Sequence, residues 1–518
     1  MKTISFSQLI TSIILLALPA LLNSCSKTID EPQVQAYTPN STDDKAGTWK
    51  TYQLTAPTDV TLTTPALISS AAYQAELTTL KQKSANLTGS QRDAVAYWGA
   101  GAVYRWNEIA RELAARYNVP PASNADGKYP VPDAANPLAD PRFPFANPPY
   151  TARALAYLSV AQYDALVSAW HYKFTFNRPA PSKTDATIKS ALPVSNLPSY
   201  PSEDAVVAAA SFAVLRAMFP GEVPYLQAKF DEHKNSRLWA GMNVDSDITA
   251  GSDLGTAVAA RVMGRARTDG MSGANNQTLT VGMIEVAKTQ GLTEVWKSQE
   301  IPARPPMLPA YGFVLPWNFD KATVAKLRPT PPPAIGSAAY KKDVDELLAI
   351  AKNQTREQAR IASYWADGAG SYTPPGHWHR AAANAGHEAR FSEVRMARTL
   401  VLLGTTEMDA GICCWDAKYY YYYPRPQQVD ARIKTSVGLP NFPSYTSGHS
   451  TFSGAAAAVL SYLFPAKADD FNAQAKQASE SRVYGLIHYR FDCDEGLVTG
   501  KNIGAYAVAR GKADGSGL

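Results

Sequence analysis

The sequence predicts an all-α protein, a large helical bundle, on three observations. Apolar residues recur at three- and four-residue steps over ten long stretches, Ala is abundant in most of them, and the alternation of a half-buried strand is confined to residues 52–62. The helical stretches are 67–82, 89–117, 151–170, 202–218, 221–236, 252–266, 338–366, 379–404, 450–464 and 472–487. A chain of 518 residues, 45% of them hydrophobic, can bury a large core. The helical body reads as one unit of two bundle-like halves, an N-terminal region over 66–337 and a C-terminal region over 338–518. No internal repeat is visible in the residue pattern.

The first 25 residues stand apart from this body. Lys2 supplies a positive start, residues 13–22 form an apolar run, and Leu22-Asn23-Ser24-Cys25 follows. That run is shorter than the roughly 20 residues that span a bilayer, and it reads as an export signal. Ser24 is small enough to flank a peptidase cut. A Cys in the next position resembles the lipobox of bacterial lipoproteins, which implies an acylated Cys25 and a lipid anchor on the periplasmic or cell-surface side. Residues 26–65, rich in Thr, Ser, Asp and Pro, are expected to be a flexible tether.

Charge excludes one class of partner. The 50 basic and 45 acidic residues leave a formal charge of +5 with no concentrated basic stripe, so no nucleic-acid partner is expected. Three cysteines remain beside Cys25. Cys413, Cys414 and Cys493 are too few for a disulfide scaffold, although Cys493 could pair with either of the others. Three long loops punctuate the helices, at 120–149, 301–337 and 422–447, and their aromatic residues argue for packed loops. Residues 373–379, Thr-Pro-Pro-Gly-His-Trp-His, read as a packed lid on which Trp378 and His379 could shape substrate access. His377, His379 and His387 are the alternative, a metal set. The five tyrosines at 419–423 read as core packing with their hydroxyls satisfied locally, and otherwise as an aromatic wall.

The chemistry concentrates in the last hundred residues. Lys418 is followed by Arg425-Pro426; Ser447-Gly448-His449-Ser450 opens an apolar helix; Ser481-Arg482 is followed by His488 and Asp492. A helix start offers free N–H groups and positive dipole charge to an anion, and Gly448 lets the backbone approach closely. Arg482 and His488 can converge if the helix ends near Gly485. Asp492, four residues after His488, can accept its second ring N–H and set the tautomer. One Lys and two Arg about one point carry too much charge to stay unpaired, and Arg forks suit a tetrahedral oxyanion. The bland alternatives are a solvated Lys/Arg face, an ordinary helix cap and an Arg482–Glu480 ion pair.

These segments resemble the superfamily of type 2 phosphatidic acid phosphatases (PAP2) and vanadium-dependent haloperoxidases, whose pattern is K-x6-RP, PSGH and SR-x5-H-x3-D. The departure is Thr446 in place of the family's Pro. The long helical region upstream resembles the haloperoxidase branch. The resemblance implies a bound vanadate, or phosphate in the same place, held by Lys418, Arg425, Ser447, Gly448 and Arg482. It makes His488 the ligand to the vanadium of vanadate, or the nucleophile of a phosphatase. It makes His449 the acid/base on the opposite side and Asp492 the partner of His488. The implied reaction is halide oxidation by hydrogen peroxide, with an organic acceptor as a further partner. The alternative is phosphate monoester hydrolysis through a phosphohistidine, and a third reading is a non-catalytic oxyanion-binding surface lipoprotein.

Overall fold

The computed structural model describes residues 34–129 and 143–517. The export signal, Cys25 and residues 26–33 lie outside them. The structure is helical, with no strand among the described residues. Numbering the helices of eight residues or more, the N-terminal half holds α1 Ala71–Ser84, α2 Gly89–Gly99, α3 Ala102–Tyr117, α4 Pro148–Phe176, α5 Glu203–Met218, α6 Val223–Trp239, α7 Asp245–Ala266 and α8 Thr280–Thr289. The C-terminal half holds α9 Ala338–Asn353, α10 Arg356–Tyr364, α11 Thr373–Glu388, α12 Glu393–Tyr421, α13 Gly448–Leu463, α14 Ala468–Tyr484 and α15 Arg490–Lys512. None of the described helices is long and apolar enough to cross a membrane.

Local chemistry explains where the helices stop. Three predicted stretches each divide in two. Gly101, at φ +123, splits 89–117, a conformation that glycine adopts freely. The Thr355–Gln358 capping box restarts the chain within 338–366. Arg390 in the left-handed region and the Ser392 N-cap divide 379–404. Helices α8 and α15 had no counterpart in the residue pattern. Helix α15 carries Gly496, Gly500, Gly504 and Gly511, poor helix formers that mask its periodicity. Packing supplies the reason for them: a Cβ on Gly500 would lie on the Thr451 carbonyl oxygen of α13.

The two halves are one architecture used twice. Helices α4 to α7 form one bundle and α12 to α15 another, with the long helices α4 and α12 packed against each other at the centre. Each element of the second set follows its counterpart by 245 positions, as 148 to 393, 203 to 448, 223 to 468 and 245 to 490 show. The correspondence reaches single contacts. Arg153 bonds Asp269 and the Ala266 carbonyl, and Arg398 bonds Asp514 and the Gly511 carbonyl. Gly255 meets the Val206 carbonyl as Gly500 meets that of Thr451. The chain therefore does contain an internal repeat. Sequence pattern missed it because the repeated positions are the few that make buried contacts, scattered among residues free to diverge.

Four further expectations are corrected. Residues from Ala36 onward belong to the compact body, so 36–65 is no flexible tether. Trp49 and Leu54 are buried, and the N–H groups of Tyr52, Gln53 and Leu54 all donate to the buried Asp164 carboxylate. These bonds hold 52–54 as a turn in place of the expected strand. Residues 373–379 are no loop: Pro374 and Pro375 start α11, where a missing N–H costs nothing, and Trp378 and His379 are fully buried. Cys413, Cys414 and Cys493 are buried free thiols, without the disulfide that their spacing allowed.

Candidate oxyanion site

Four elements of the second bundle meet at the predicted constellation. The end of α12 brings Lys418, the following loop brings Arg425, the start of α13 brings Ser447, Gly448 and His449, and α14 with its exit loop brings Arg482 and His488. Helix α14 ends at Tyr484, and Leu486 at φ 60 turns the chain back, so residues six apart reach the same place. Asp492 lies in the first turn of α15.

His488 is held in one tautomer. Its Nε2 accepts from Arg425 Nη1 at 3.0 Å, so the proton sits on Nδ1, 2.8 Å from Asp492 Oδ2. The same oxygen accepts from Ser444 Oγ at 2.5 Å and from the Tyr489 N–H at 3.3 Å. Burial, with the Arg425, Lys418 and Arg482 charges, holds the His488 pKa well below its ordinary value, so the ring is neutral. Burial raises the Asp492 carboxyl.

The three cations are buried without a carboxylate partner in reach of an ion pair among the described residues. The Lys418 ammonium donates to the carbonyls of Pro443, Ser444 and Thr446 at 2.9, 2.8 and 2.5 Å. All three of its protons are committed to the loop, so it serves the site first as charge. Arg425 spans the Phe442 and Ile487 carbonyls. Arg482 donates Nη1 to the Trp365 carbonyl, and its Nε has no partner. Glu480 pairs with Arg490, which removes the bland account of Arg482. Burial pushes Lys418 down to about 7, Arg425 to about 9 and Arg482 to about 10. Elsewhere in the fold Arg153, Lys173, Arg178, Arg237 and Arg398 each reach a carboxylate, while the buried Arg111 donates to Asn107 instead. Uncompensated buried charge is costly, and a bound anion is the group that would relieve it.

Space for that anion lies at the helix start. Gly448 is buried, yet a Cβ built on it would meet only Trp415 Cζ3, at 4.0 Å. Ser447 caps α13, its Oγ accepting from the Ser450 N–H and hydroxyl. His449 Nε2 is unpartnered, and its side chain, 15% exposed, is the most open of the set. Burial, then the Arg482 charge, holds its pKa well below the ordinary value. Arg482 Nε, His449 Nε2 and open space beside Gly448 are the features of an anion cradle.

Sequence reasoning missed the residues behind His449. Asp367 presents a buried Oδ2, unpartnered and 4.0 Å from His449 Nε2, while its Oδ1 faces His377 Nδ1 at 3.4 Å. His377 in turn stacks on Trp365 at 4.3 Å. The Trp365 and Asp367 pair flanking the 373–379 cluster was the available signal. His379 instead faces Asn107 and Glu407 in the core, and His387 lies edge-on to Tyr37, so the three histidines do not gather about one point. Among the described residues no three His, Cys, Asp or Glu side chains form a metal cluster.

The tyrosine run is core. Tyr419, Tyr421, Tyr422 and Tyr423 are buried. The Tyr419, Tyr421 and Tyr423 hydroxyls donate to the carbonyls of Met307, Pro329 and Pro333, stapling the proline-rich loop to the end of α12.

Comparison with known proteins agrees with this geometry. Residues 399–511 match the PAP2 superfamily, a span that contains every residue of the constellation. No curated protein matches the chain. Among solved structures the chain is similar to the first bacterial vanadium-dependent iodoperoxidase, at 21% identity and a TM-score of 0.58, over 79% of this chain and 95% of that one. It is also similar to a holo-type bacterial vanadium-dependent chloroperoxidase, at 14% identity and a TM-score of 0.50, over 77% of this chain and 100% of that one. The chain thus carries a PAP2-superfamily domain over residues 399–511, set within the helical fold of the vanadium-dependent haloperoxidases.

Proposed function

We propose that the protein is a vanadium-dependent haloperoxidase that oxidises halide with hydrogen peroxide. The observation that carries this reading is a set of three buried cations, none in an ion pair with a carboxylate, around a neutral His488, enclosed so that only His449 is partly open. Such an enclosure suits peroxide and halide better than a bulky ester. The two solved relatives named above are themselves peroxidases of this type.

The residues present fit vanadate. Arg482, Ser447 and the Gly448 N–H would hold its oxygens. Lys418 and Arg425, whose N–H groups are committed to carbonyls and to His488, would add charge. His488 Nε2 is the unprotonated ring position that would bind the vanadium in exchange for its bond from Arg425. Vanadate held there would supply a Lewis-acidic centre that activates hydrogen peroxide toward halide. Asp492 keeps the proton on His488 Nδ1 and so leaves Nε2 a lone pair, which here accepts from Arg425 Nη1. His449, neutral at rest, takes a proton from peroxide on the opposite side, and Asp367 Oδ2 stabilises the imidazolium that results. In sum, hydrogen peroxide, halide and a proton give hypohalous acid and water.

A PAP2-type phosphatase at the same residues is the second reading, favoured by the match over 399–511. It requires His449 to begin protonated so as to supply the leaving group, and burial and Arg482 oppose that charge. We place the protein on the outer side of a bacterial membrane, acylated at Cys25, on the strength of the first 25 residues. Loss of palmitate labelling in Cys25→Ala is expected; persistent labelling would overturn the assignment.

Detergent-solubilised full-length protein loaded with orthovanadate is expected to oxidise bromide or iodide with peroxide. Hydrolysis of p-nitrophenyl phosphate without any vanadate-dependent halide oxidation would select the phosphatase. His488→Ala is expected to lose both activities and the vanadate signal in ⁵¹V NMR. Unchanged vanadate binding in that variant would remove His488 from the site.

A further inference from the structure

The first bundle repeats the oxyanion constellation at the same 245-residue offset. Lys173 stands for Lys418, Pro198-Ser199-Tyr200 for Pro443-Ser444-Tyr445, Ser202 for Ser447, Arg237 for Arg482 and Asp247 for Asp492. The contacts repeat as well. Lys173 donates to the Pro198 carbonyl at 2.6 Å as Lys418 does to that of Pro443. The Ser202 N–H bonds the Asp247 carbonyl at 3.0 Å, and the Ser447 N–H bonds that of Asp492 at 2.9 Å. Asp247 Oδ2 accepts from the Val244 N–H as Asp492 Oδ2 does from that of Tyr489.

The differences fall where a ligand would sit, and one cation is lost outright, Ala180 standing at the position of Arg425. Gly448 becomes Glu203, whose carboxylate reaches Lys173 at 2.7 Å. His449 becomes Asp204, which takes His233 Nε2 at 3.1 Å and Arg237 Nη1 at 3.4 Å. His488 becomes Asn243, whose amide bonds the Ser199 carbonyl and whose oxygen faces Ser202 Oγ. The cations of the second bundle make no ion pair, Asp492 and Asp367 acting on them only at longer range; Lys173 and Arg237 of the first are paired by the chain itself. Open space persists beside them. A cavity of about 110 Å³ reaches Glu203, Asp204, Arg237 and Glu393, and Glu203 stands between it and Lys173, which does not line it. Arg237, 4% exposed, keeps an unpartnered Nη2 among these lining residues, as Arg482 keeps an unpartnered Nε.

We propose that the first bundle holds a second anion site of the same design, closed by the Glu203 carboxylate, which occupies the position of the bound anion. The comparison rests on the oxyanion reading of the second bundle, but the cradle around Lys173 is independently testable. Lys173 is fully buried, so removing Glu203 leaves a charge that a small carboxylate from solution can neutralise. Asn243 offers no ring nitrogen, so an opened site binds without reacting. Asp204 and Glu393 repel a dianion, so formate suits the singly opened site, and inorganic phosphate needs Asp204 neutralised too.

The test uses full-length protein in detergent. Glu203→Gly is expected to melt below the parent in chloride buffer and to be restored by millimolar formate, which leaves the parent unchanged. Glu203→Gln, which fills the space without the charge, is expected to be destabilised and not restored. Glu203→Gly with Asp204→Asn is expected to bind one more inorganic phosphate per chain than the parent by calorimetry, with no added halide oxidation. Should Glu203→Gly not fold, refolding that succeeds only with formate present supports the site. No loss of stability in Glu203→Gly, or a loss that neither formate nor phosphate restores, overturns it. Failure of the oxyanion reading itself shows separately, as a parent protein that binds no phosphate or vanadate while formate rescue of Glu203→Gly persists.

Discussion

Gly448→Ala isolates the cradle from the fold. The residue is buried at the first helical position of α13, and the added Cβ meets nothing closer than Trp415 Cζ3 at 4.0 Å. The apoprotein should therefore accept the methyl without strain, and helix propensity favours Ala over Gly by up to ~1 kcal/mol. The cost appears only with the anion. A methyl carbon beside the Gly448 N–H pushes a bound oxygen away by roughly 1 Å, and a misplacement of that size can cost on the order of 10²-fold, about 2.7 kcal/mol. Orthovanadate affinity, measured by calorimetry at one pH and ionic strength, should fall by that factor while the melting temperature holds or rises. Gly500→Ala is the control of opposite sign: its Cβ would overlap the Thr451 carbonyl, so it should destabilise the fold. Vanadate affinity within twofold of the parent in Gly448→Ala would refute the placement of the anion beside this residue.

Other consequences concern the supports of the site. Lys418→Met removes three hydrogen bonds, at ~1–3 kcal/mol each, and leaves the Ser444 carbonyl without a donor, offset in part because no ammonium is desolvated on folding; a net loss on the order of 2 kcal/mol is expected in urea unfolding. Unchanged stability would mean that the loop at 443–446 does not depend on the ammonium. Tyr421→Phe and Tyr423→Phe remove hydroxyls bound to Pro329 and Pro333, each worth ~1 kcal/mol, and should speed proteolysis within 301–337. His379 is lowered to about 3 by burial, then by the Arg111 charge. Between pH 3 and the unfolded value near 6.5 the unfolded chain binds the extra proton, so this residue makes stability rise with pH and withdraws that support as pH falls. His379→Asn should flatten the slope of stability against pH between pH 4 and 6 by about 1.4 kcal/mol per unit. An unchanged slope would show that the ring is already charged in the fold.

The candidate site was legible in the sequence because an oxyanion demands specific residue types. Lys418, Arg425, Ser447, Gly448, His449, Arg482, His488 and Asp492 cannot exchange freely with others and still neutralise, approach or ligate an anion. Asp367 escaped notice for the opposite reason. It acts from another segment, and the only signal it gave was its place with Trp365 just before the 373–379 cluster. Apart from α8, the helices before 487 were legible as apolar periodicity, but α15 was not, since its buried face is written in glycine, which reports close approach and not hydrophobicity.

By itself the sequence determined the helical class and singled out the candidate oxyanion residues, because periodicity and side-chain chemistry are properties of the residues. Only the tertiary structure decided which buried cations have carboxylates and which do not. Lys173 and Lys418 are alike in sequence context, yet one meets Glu203 and the other meets three carbonyls beside an open space. The difference rests on one side chain at a helix start, and its meaning depends on the charge found across from it in space, which no spacing along the chain records.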